Sequence, residues 1–136
     1  MKSFFNFILE MNITDLGDGF TVHHHDLGDG HSAMVMFQKT GNNVTVDYTI
    51  HTPEKPEGTT EIGHLPPSKS VSTIMKVRKS IKQHLKQNPE TEHITMHGTT
   101  DRQRETYTTI GKRLGTIKPV GPHGIQVKIK DNQEFK

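Results

Sequence analysis

Residues 44–51 read Val44-Thr-Val-Asp-Tyr-Thr-Ile-His51, and this stretch decides the fold. Every second side chain in it is apolar, and the side chains between them are polar or charged. Successive side chains of a strand point to opposite faces, so this alternation predicts a strand with one buried face. The apolar segment Ser32–Lys39 and the turn Gly41–Asn43 precede it, and together they predict an antiparallel hairpin.

The period of the sequence changes after this strand. Between Ser68 and Asn88, apolar residues recur at spacings of three and four, which predicts a helix of about 20 residues. Ser68 or Ser70 is expected to cap its start, and Asn88-Pro89 to end it. The stripe predicted along the helix comprises Val71, Ile74, Arg78, Ile81 and Leu85.

The segments on the carboxyl side of the helix complete a mixed sheet. Glu92–His97 predicts a short strand, and a strand–helix–strand crossover is expected to lay it parallel to residues 44–51. Thr100-Asp-Arg-Gln103 is a capping-box pattern that begins a second helix, which is expected to stop at Gly115. Three further strands are predicted at Phe20–His25, Thr116–Val120 and Gly124–Lys130. The order β-β-β-α-β-α-β(β) predicts an α+β fold, an α/β sandwich with a mixed sheet.

One pentapeptide occurs twice, as Asp15-Leu-Gly-Asp-Gly19 and as Asp26-Leu-Gly-Asp-Gly30. Asp and Gly tolerate positive φ, so the repeat predicts a pair of tight turns around the strand between its copies. A calcium loop of the EF-hand type needs Gly at its sixth position, and counting from Asp15 that position is Phe20. The repeat therefore predicts turns and not a cation site.

The composition bounds the function. The chain has 136 residues, of which 29% are hydrophobic and 12 are glycine, and this suits one domain with a small core. It has no cysteine, so a disulfide, a cysteine nucleophile and a thiolate metal site are excluded. No apolar run approaches the ~18 residues of a membrane span. The formal net charge of +2 does not by itself demand a nucleic-acid partner.

Histidine is unusually frequent, with ten in the chain. His23 and His25 would share one face of a strand, which is workable for zinc, but no His-Glu-x-x-His motif accompanies them. We expect instead a surface strand rich in titratable groups, and we predict no metal ligand.

The first ten residues, Met1-Lys-Ser-Phe-Phe-Asn-Phe-Ile-Leu-Glu10, form either a terminal helical turn docked on the core or an address. They resemble the capsid-targeting leader of internal head proteins of T-even-like tailed phages, Met-Lys-Thr-Tyr-x-x-Phe-Ile-x-Glu. The resemblance implies that a prohead protease recognises Ile8 and Glu10 and cuts after Glu10. No other Ile-x-Glu or Leu-x-Glu occurs in the chain. Residues 1–10 are then a cleavable leader, residues 11–130 a single domain, and residues 131–136 a frayed tail.

The order of elements between Val44 and Leu114 resembles the GNAT-type N-acetyltransferase fold. Arg104-Glu-Thr-Tyr107, followed by Gly111, is similar to that family's Arg-x-x-Tyr-x-x-x-Gly stretch on the last helix. The resemblance implies that Tyr107 protonates the departing CoA thiolate, with acetyl-CoA as the cofactor if the domain is enzymatic. An aromatic residue at this spacing, in a stripe with Ile110, is also typical of a core position, so both interpretations stay open.

The same resemblance implies a pyrophosphate-binding loop at the start of the long helix. Where that family has a Gly-rich loop, this chain has Gly63-His-Leu-Pro-Pro-Ser-Lys-Ser70, and the two prolines lack an N–H group. Ser68, Lys69 and Ser70 are the candidate cofactor-binding residues, because they offer donors at a helix N-terminus.

The long helix carries a row of lysines at spacings of three, three and four, with no acidic residue between Ser68 and Asn88. Such a row is either a solvated face or a phosphate-facing stripe for packaged DNA or a nucleotide cofactor. Without aromatic residues or a reading-helix motif, DNA contact would be non-specific and salt-sensitive. The four candidate nucleic-acid residues are Lys76, Lys79, Lys82 and Lys86.

The two resemblances together imply a virion-packaged internal head protein of a tailed phage with a GNAT-like domain. The expected partners are the capsid or prohead core, the prohead protease and packaged DNA, with no membrane. The expected location is the phage head, after a period in the host cytoplasm during assembly. An active acyl-CoA-dependent N-acetyltransferase is the first alternative, and a non-specific DNA-contacting structural module is the second.

Overall fold

The computed structural model describes residues 11–59 and 67–129 of the chain. Within them the chain forms one seven-stranded mixed sheet and two helices, which confirms the predicted α+β class. The predicted leader, residues 1–10, and the predicted tail, residues 131–136, lie outside the described residues. The strands are β1 (Met11–Gly17), β2 (Phe20–Gly28), β3 (His31–Thr40), β4 (Asn43–His51), β5 (His93–Met96), β6 (Gly115–Val120) and β7 (Gly124–Ile129). The helices are α1 (Pro67–Gln87) and α2 (Asp101–Gly111).

Strand β4 contains the alternating stretch, and β5 lies beside it in the sheet order β1-β2-β3-β4-β5-β7-β6. The two strands are parallel, with Asn43 opposite His93 and Val44 opposite Ile94. All other neighbouring strands are antiparallel. The predicted parallel placement of β5 and the predicted hairpin of β3 with β4 are therefore confirmed.

Strands β4 and β5 separate after three residue pairs. Thr45 with Thr95 is the last pair, whereas β4 continues to His51. Farther along, Ile50 exchanges two backbone hydrogen bonds of 2.8 Å with Thr59, so the loop after β4 takes the edge that β5 has left. The ladder beside β4 is therefore interrupted between Thr45 and Ile50, at the carboxyl end of the parallel pair.

Both helices pack against one face of the sheet. The alternate residues of β4 from Val44 to Ile50 are at most 1% exposed, and they share one core cluster with the buried sides of α1 and α2. The interposed residues Thr45, Asp47 and Thr49 lie outside this core cluster and are partly or fully exposed, as the alternation of side chains along a strand predicts. The molecule is thus a two-layer α/β sandwich.

Helix α1 buries the predicted stripe only in part: Ile81 and Leu85 are buried and Ile74 packs against the core, whereas the start of the stripe is exposed. Val71 is 57% exposed and Met75, which flanks the predicted stripe, is 60% exposed. The helix begins at Pro67, so Ser68 and Ser70 lie within its first turn and do not cap it. The polar residues Thr73, Ser80 and His84 are also buried on this side. The spacing of apolar residues, from which the stripe was predicted, does not include them. The buried residues of α1 are Thr73, Val77, Ser80, Ile81, His84 and Leu85.

Helix α2 is shorter than predicted, because it ends at Gly111 and Gly115 is the first residue of β6. Tyr107, Ile110 and Leu114 are nevertheless fully buried, as their spacing predicts. A Cβ added at Gly115 would collide with the carbonyl oxygen of Lys128 on β7. This glycine therefore starts a strand at a place where two backbones approach closely.

Strand β1 was not predicted. Its sequence, Met11–Gly17, carries few apolar residues, and β1 is an edge strand that pairs with β2 along one side. An edge strand buries little, so its sequence shows no clear alternation. The strand extends the predicted antiparallel group from three members to four.

The repeated pentapeptide forms two turns of the same geometry, as predicted. In each copy the Asp-Gly pair has positive φ at both residues, between 54° and 79°, as a two-residue type I′ hairpin requires. In each copy the first Asp accepts a hydrogen bond from the backbone N–H two residues later, at 2.9 Å and 2.8 Å. The leucines differ, because Leu16 is 60% exposed whereas Leu27 is 9% exposed and joins the core.

Candidate functional site

Tyr107 on α2 meets Asp47 on β4 at the interruption of the ladder. The Tyr107 hydroxyl donates to Oδ1 of Asp47 over 3.2 Å. The Tyr107 ring is fully buried and lies edge-on to Tyr48, with 5.7 Å between ring centroids and an interplanar angle of 83°. The ring of Tyr107 is therefore a core residue, as one interpretation predicts, and its hydroxyl contacts an ionisable group; its role as a proton donor stays a prediction.

The start of α2 fixes the position of Tyr107. The backbone N–H of Gln103 donates to the Thr100 hydroxyl over 3.1 Å, which confirms the predicted N-cap. The Gln103 side chain, which is almost fully buried, accepts from the Thr99 backbone N–H over 2.7 Å. Its Nε2 donates to the Tyr107 hydroxyl over 3.4 Å. The Gln103 side chain thus links the N-terminal cap of α2 to the Tyr107 hydroxyl.

Arg104 of the Arg-x-x-Tyr pattern has a structural contact. Its Nε donates to the carbonyl of Gly124 over 3.2 Å, and a terminal nitrogen donates to the carbonyl of Gly121 over 2.8 Å. These bonds tie α2 to the turn before β7. Arg104 therefore helps to hold the helix that carries Tyr107.

Burial governs the ionisation of the pair. Asp47 as a residue is exposed, but desolvation of its carboxyl group raises its pKa above the usual range. The Tyr107 hydrogen bond, the nearby His97 and a backbone N–H act in the opposite direction and reduce that shift. Burial, followed by the Asp47 charge, raises the pKa of Tyr107, so this hydroxyl stays protonated at neutral pH.

The arrangement can accept and supply protons. Asp47 is a base whose pKa is shifted toward neutrality, and Tyr107 is a protonated donor within hydrogen-bond distance of it. Ionisable pairs with perturbed pKa values are typical of functional sites. The sequence analysis missed Asp47, because an aspartate at a polar position of an alternating strand is expected to face solvent.

The candidate cofactor residues Ser68, Lys69 and Ser70 lie in the first turn of α1. The Lys69 ammonium donates to the Leu27 carbonyl over 2.5 Å and lies 3.1 Å from the Asp29 carboxylate. These contacts tie the start of α1 to the turn between β2 and β3. A phosphate bound there would share Lys69 with Asp29.

Three of the four candidate lysines share one groove on α1. The groove has a volume of about 360 Å³ and includes Lys79, Lys82 and Lys86 but not Lys76, which is half-buried. Arg78, which was not predicted as a nucleic-acid residue, lines it as well. The structure thus brings three of the four predicted lysines together and places the Arg78 guanidinium group beside them.

The histidine-rich strand is buried on one face, so the expectation of a surface strand was wrong. His23 is fully buried, and neither of its ring nitrogens has a hydrogen-bond partner. Its ring centroid is 4.8 Å from that of Phe37, and Phe37 in turn stacks on His84 at 4.4 Å. The pKa values of His23 and His84 are both lowered to about 4, chiefly by burial. These histidines therefore pack as neutral aromatic residues.

No three histidine, aspartate or glutamate side chains within residues 11–59 and 67–129 are grouped so that they could hold a metal ion. Neither α1 nor α2 has the length and apolar character to cross a membrane. Comparison with known proteins gave no match: no family model fits the chain, and no curated protein or solved structure is significantly similar to it.

Proposed function

We propose that this chain is an internal head protein of a tailed phage, packaged through residues 1–10 and trimmed by a prohead protease. The leader resemblance carries the proposal, since Met1, Lys2, Phe7, Ile8 and Glu10 match its pattern. A cut after Glu10 would leave in the trimmed chain every residue that the structure describes.

The proposed cut lies outside the part of the chain that the structure describes. A chain trimmed after Glu10 keeps residues 11–59 and 67–129, and with them the seven strands and two helices described above. The proposal therefore predicts a mature protein that retains this described sheet.

Mass spectrometry of purified virions tests the proposal. We expect a mature chain that starts at Met11, and an uncut chain with Met1 in particles whose protease is inactive. A Glu10→Ala variant keeps the leader but removes the acidic residue before the cut, so it should be packaged and remain uncut. Absence of the protein from virions, or an intact Met1 in mature wild-type particles, would contradict the proposal.

Acyl transfer from acetyl-CoA is a second candidate function, favoured by the separation of β4 and β5 beside Asp47 and Tyr107. The GNAT resemblance implies a cofactor arm between these two strands. The cofactor would supply a thioester. Asp47 would take the proton of the acceptor amine, and Tyr107 would give its proton to the departing thiolate.

Thermal unfolding of the full chain with acetyl-CoA tests this candidate. A ligand that binds only the folded state raises apparent stability, so binding predicts a higher Tm at millimolar acetyl-CoA. Tyr107→Phe should keep that shift and lose acyl transfer, because the ring packing remains and the proton donor is gone. No shift with the wild-type chain would refute acyl transfer and leave the packaging proposal untouched.

A further inference from the structure

Helix α1 concentrates positive charge on its outer side. It has six lysine and arginine residues and no acidic residue between Ser68 and Asn88. Lys69 is engaged with Asp29 at the start of the helix. Helix α1 itself supplies no carboxylate to the remaining lysines.

The groove on α1 collects these charges in one place. Its lining is Met75, Arg78, Lys79, Lys82, Gln83 and Lys86. Arg78, which also lines the groove, donates through a terminal nitrogen to the Thr109 carbonyl on α2 over 3.0 Å, so α2 helps to position this guanidinium. At 1.5 Å per residue, Lys79 and Lys86 are about 10 Å apart along the helix, comparable to one or two steps of a nucleic-acid backbone.

We infer that this groove binds the phosphate backbone of a nucleic acid without sequence preference. Lysine heads on a flexible stem suit phosphate oxygens as point charges, and a helical row of them follows a line of phosphates. The groove contains no aromatic side chain on which a base could stack and no acidic group that could read a base edge. Its contribution is affinity and not base recognition.

The same helix is poorly suited to a membrane surface. A helix that lies in a lipid interface presents a broad apolar face to it. The apolar face of α1 is buried against the sheet, and outside it Val71 and Met75 are the large apolar residues exposed on this helix. The nucleic acid is therefore the preferred polyanion. The inference rests on α1 alone and stands whether or not the leader is cut.

Binding of a labelled DNA duplex by the full chain, followed by fluorescence anisotropy, tests the inference. The test variant is Lys79→Gln/Lys82→Gln/Lys86→Gln. The matched control is Lys55→Gln/Lys118→Gln/Lys128→Gln, which loses the same charge from exposed positions outside the groove. Far-UV circular dichroism of each variant establishes that the fold is intact.

Three phosphate contacts predict a loss of affinity of about 40-fold between about 50 mM and about 200 mM salt for the wild-type chain. We expect the groove variant to bind about tenfold more weakly or worse at low salt, with a shallower salt dependence, and the control to bind within about threefold of wild type. Equal losses in both variants would overturn the inference. Binding without salt dependence would overturn it too, as would binding to phosphatidylglycerol vesicles without binding to DNA.

Discussion

The hydroxyl of Tyr107 lies 3.2 Å from Oδ1 of Asp47, although 60 residues separate them in sequence. One residue belongs to β4 and the other to α2, which follows β5. The contact therefore exists only when the two parallel strands are in place, and it occurs where their ladder has ended. A buried hydroxyl and a partly desolvated carboxyl group satisfy each other at that point.

Replacing Tyr107 by Phe removes a hydrogen bond that lowers the pKa of Asp47. The ring contact with Tyr48 remains, so the fold is retained. We expect the pKa of Asp47 to rise further above its usual range. An NMR titration of the aspartate carboxyl carbons in wild type and variant measures this. An unchanged Asp47 titration would show that the bond does not form in solution.

Asp47→Asn removes a charge that burial disfavours and keeps an oxygen that accepts from Tyr107. The pKa of Asp47 is raised in the folded state, so the folded protein prefers the protonated form and loses stability as the pH rises through that pKa. The variant should therefore have a higher free energy of unfolding than wild type near pH 7 and no advantage near pH 3. Urea denaturation at both pH values is the measurement. A variant that is less stable at pH 7 would contradict this.

His23→Leu should stabilise the protein in mild acid. The pKa of His23 is lowered from 6.5 to about 4, so between these values the unfolded chain binds a proton that the folded chain does not. The contribution of His23 to wild-type stability is fully present above pH 6.5 and is lost as the pH falls toward 4. The variant lacks this loss. Its free energy of unfolding relative to wild type should therefore be about 2 kcal/mol more favourable at pH 5 than at pH 8. Urea denaturation at both pH values measures this difference. An equal gain at pH 5 and at pH 8 would contradict a buried, neutral His23.

Thr100→Ala should destabilise the protein by about 1 kcal/mol, because the N–H of Gln103 loses its capping acceptor. Thr109→Ala, at an exposed position within α2, is the matched control and should be neutral or slightly stabilising. Thermal and urea unfolding measure both. Equal effects of the two substitutions would mean that the cap does not stabilise the helix start.

Gly115→Ala should cost about 1–3 kcal/mol, since the added methyl group collides with the backbone carbonyl of Lys128 and the strands must move apart. Thr116→Ala, at the next and exposed position, serves as the comparison and should change stability little. The urea midpoints of the two variants, compared with that of wild type, measure the difference in stability. A Gly115→Ala protein as stable as wild type would show that β6 and β7 are not as close as described.

Period and turn chemistry predicted much of the fold. The alternation of 44–51 and the three-and-four spacing after Ser68 were enough to place β4, α1 and the parallel strand β5. The repeated Asp-Gly pairs predicted both turns, because their conformation is local. The edge strand β1 escaped notice, since a strand paired on one side buries too little to impose a pattern on its sequence.

The candidate site could be predicted only in part. Tyr107 was identified from its motif. Its contact with Asp47 forms only because β4 continues beyond the end of its pairing with β5, and no local sequence pattern encodes where that pairing ends. The burial of His23 was missed for a related reason. A histidine counts as polar in any periodicity, whereas here its neutral ring packs beside Phe37 like a hydrophobic side chain.

The brevity of the β4–β5 pairing has a mechanical consequence. Strands β1 to β4 form one antiparallel block and β5 to β7 form another, and within the sheet three parallel residue pairs join the two blocks. Helix α1 joins the blocks through the chain itself. Under pulling force or partial denaturation, we expect the β4–β5 pairing to separate first. In hydrogen exchange, the amide hydrogens of Thr45 and Thr95 should then exchange before those in the centre of β3.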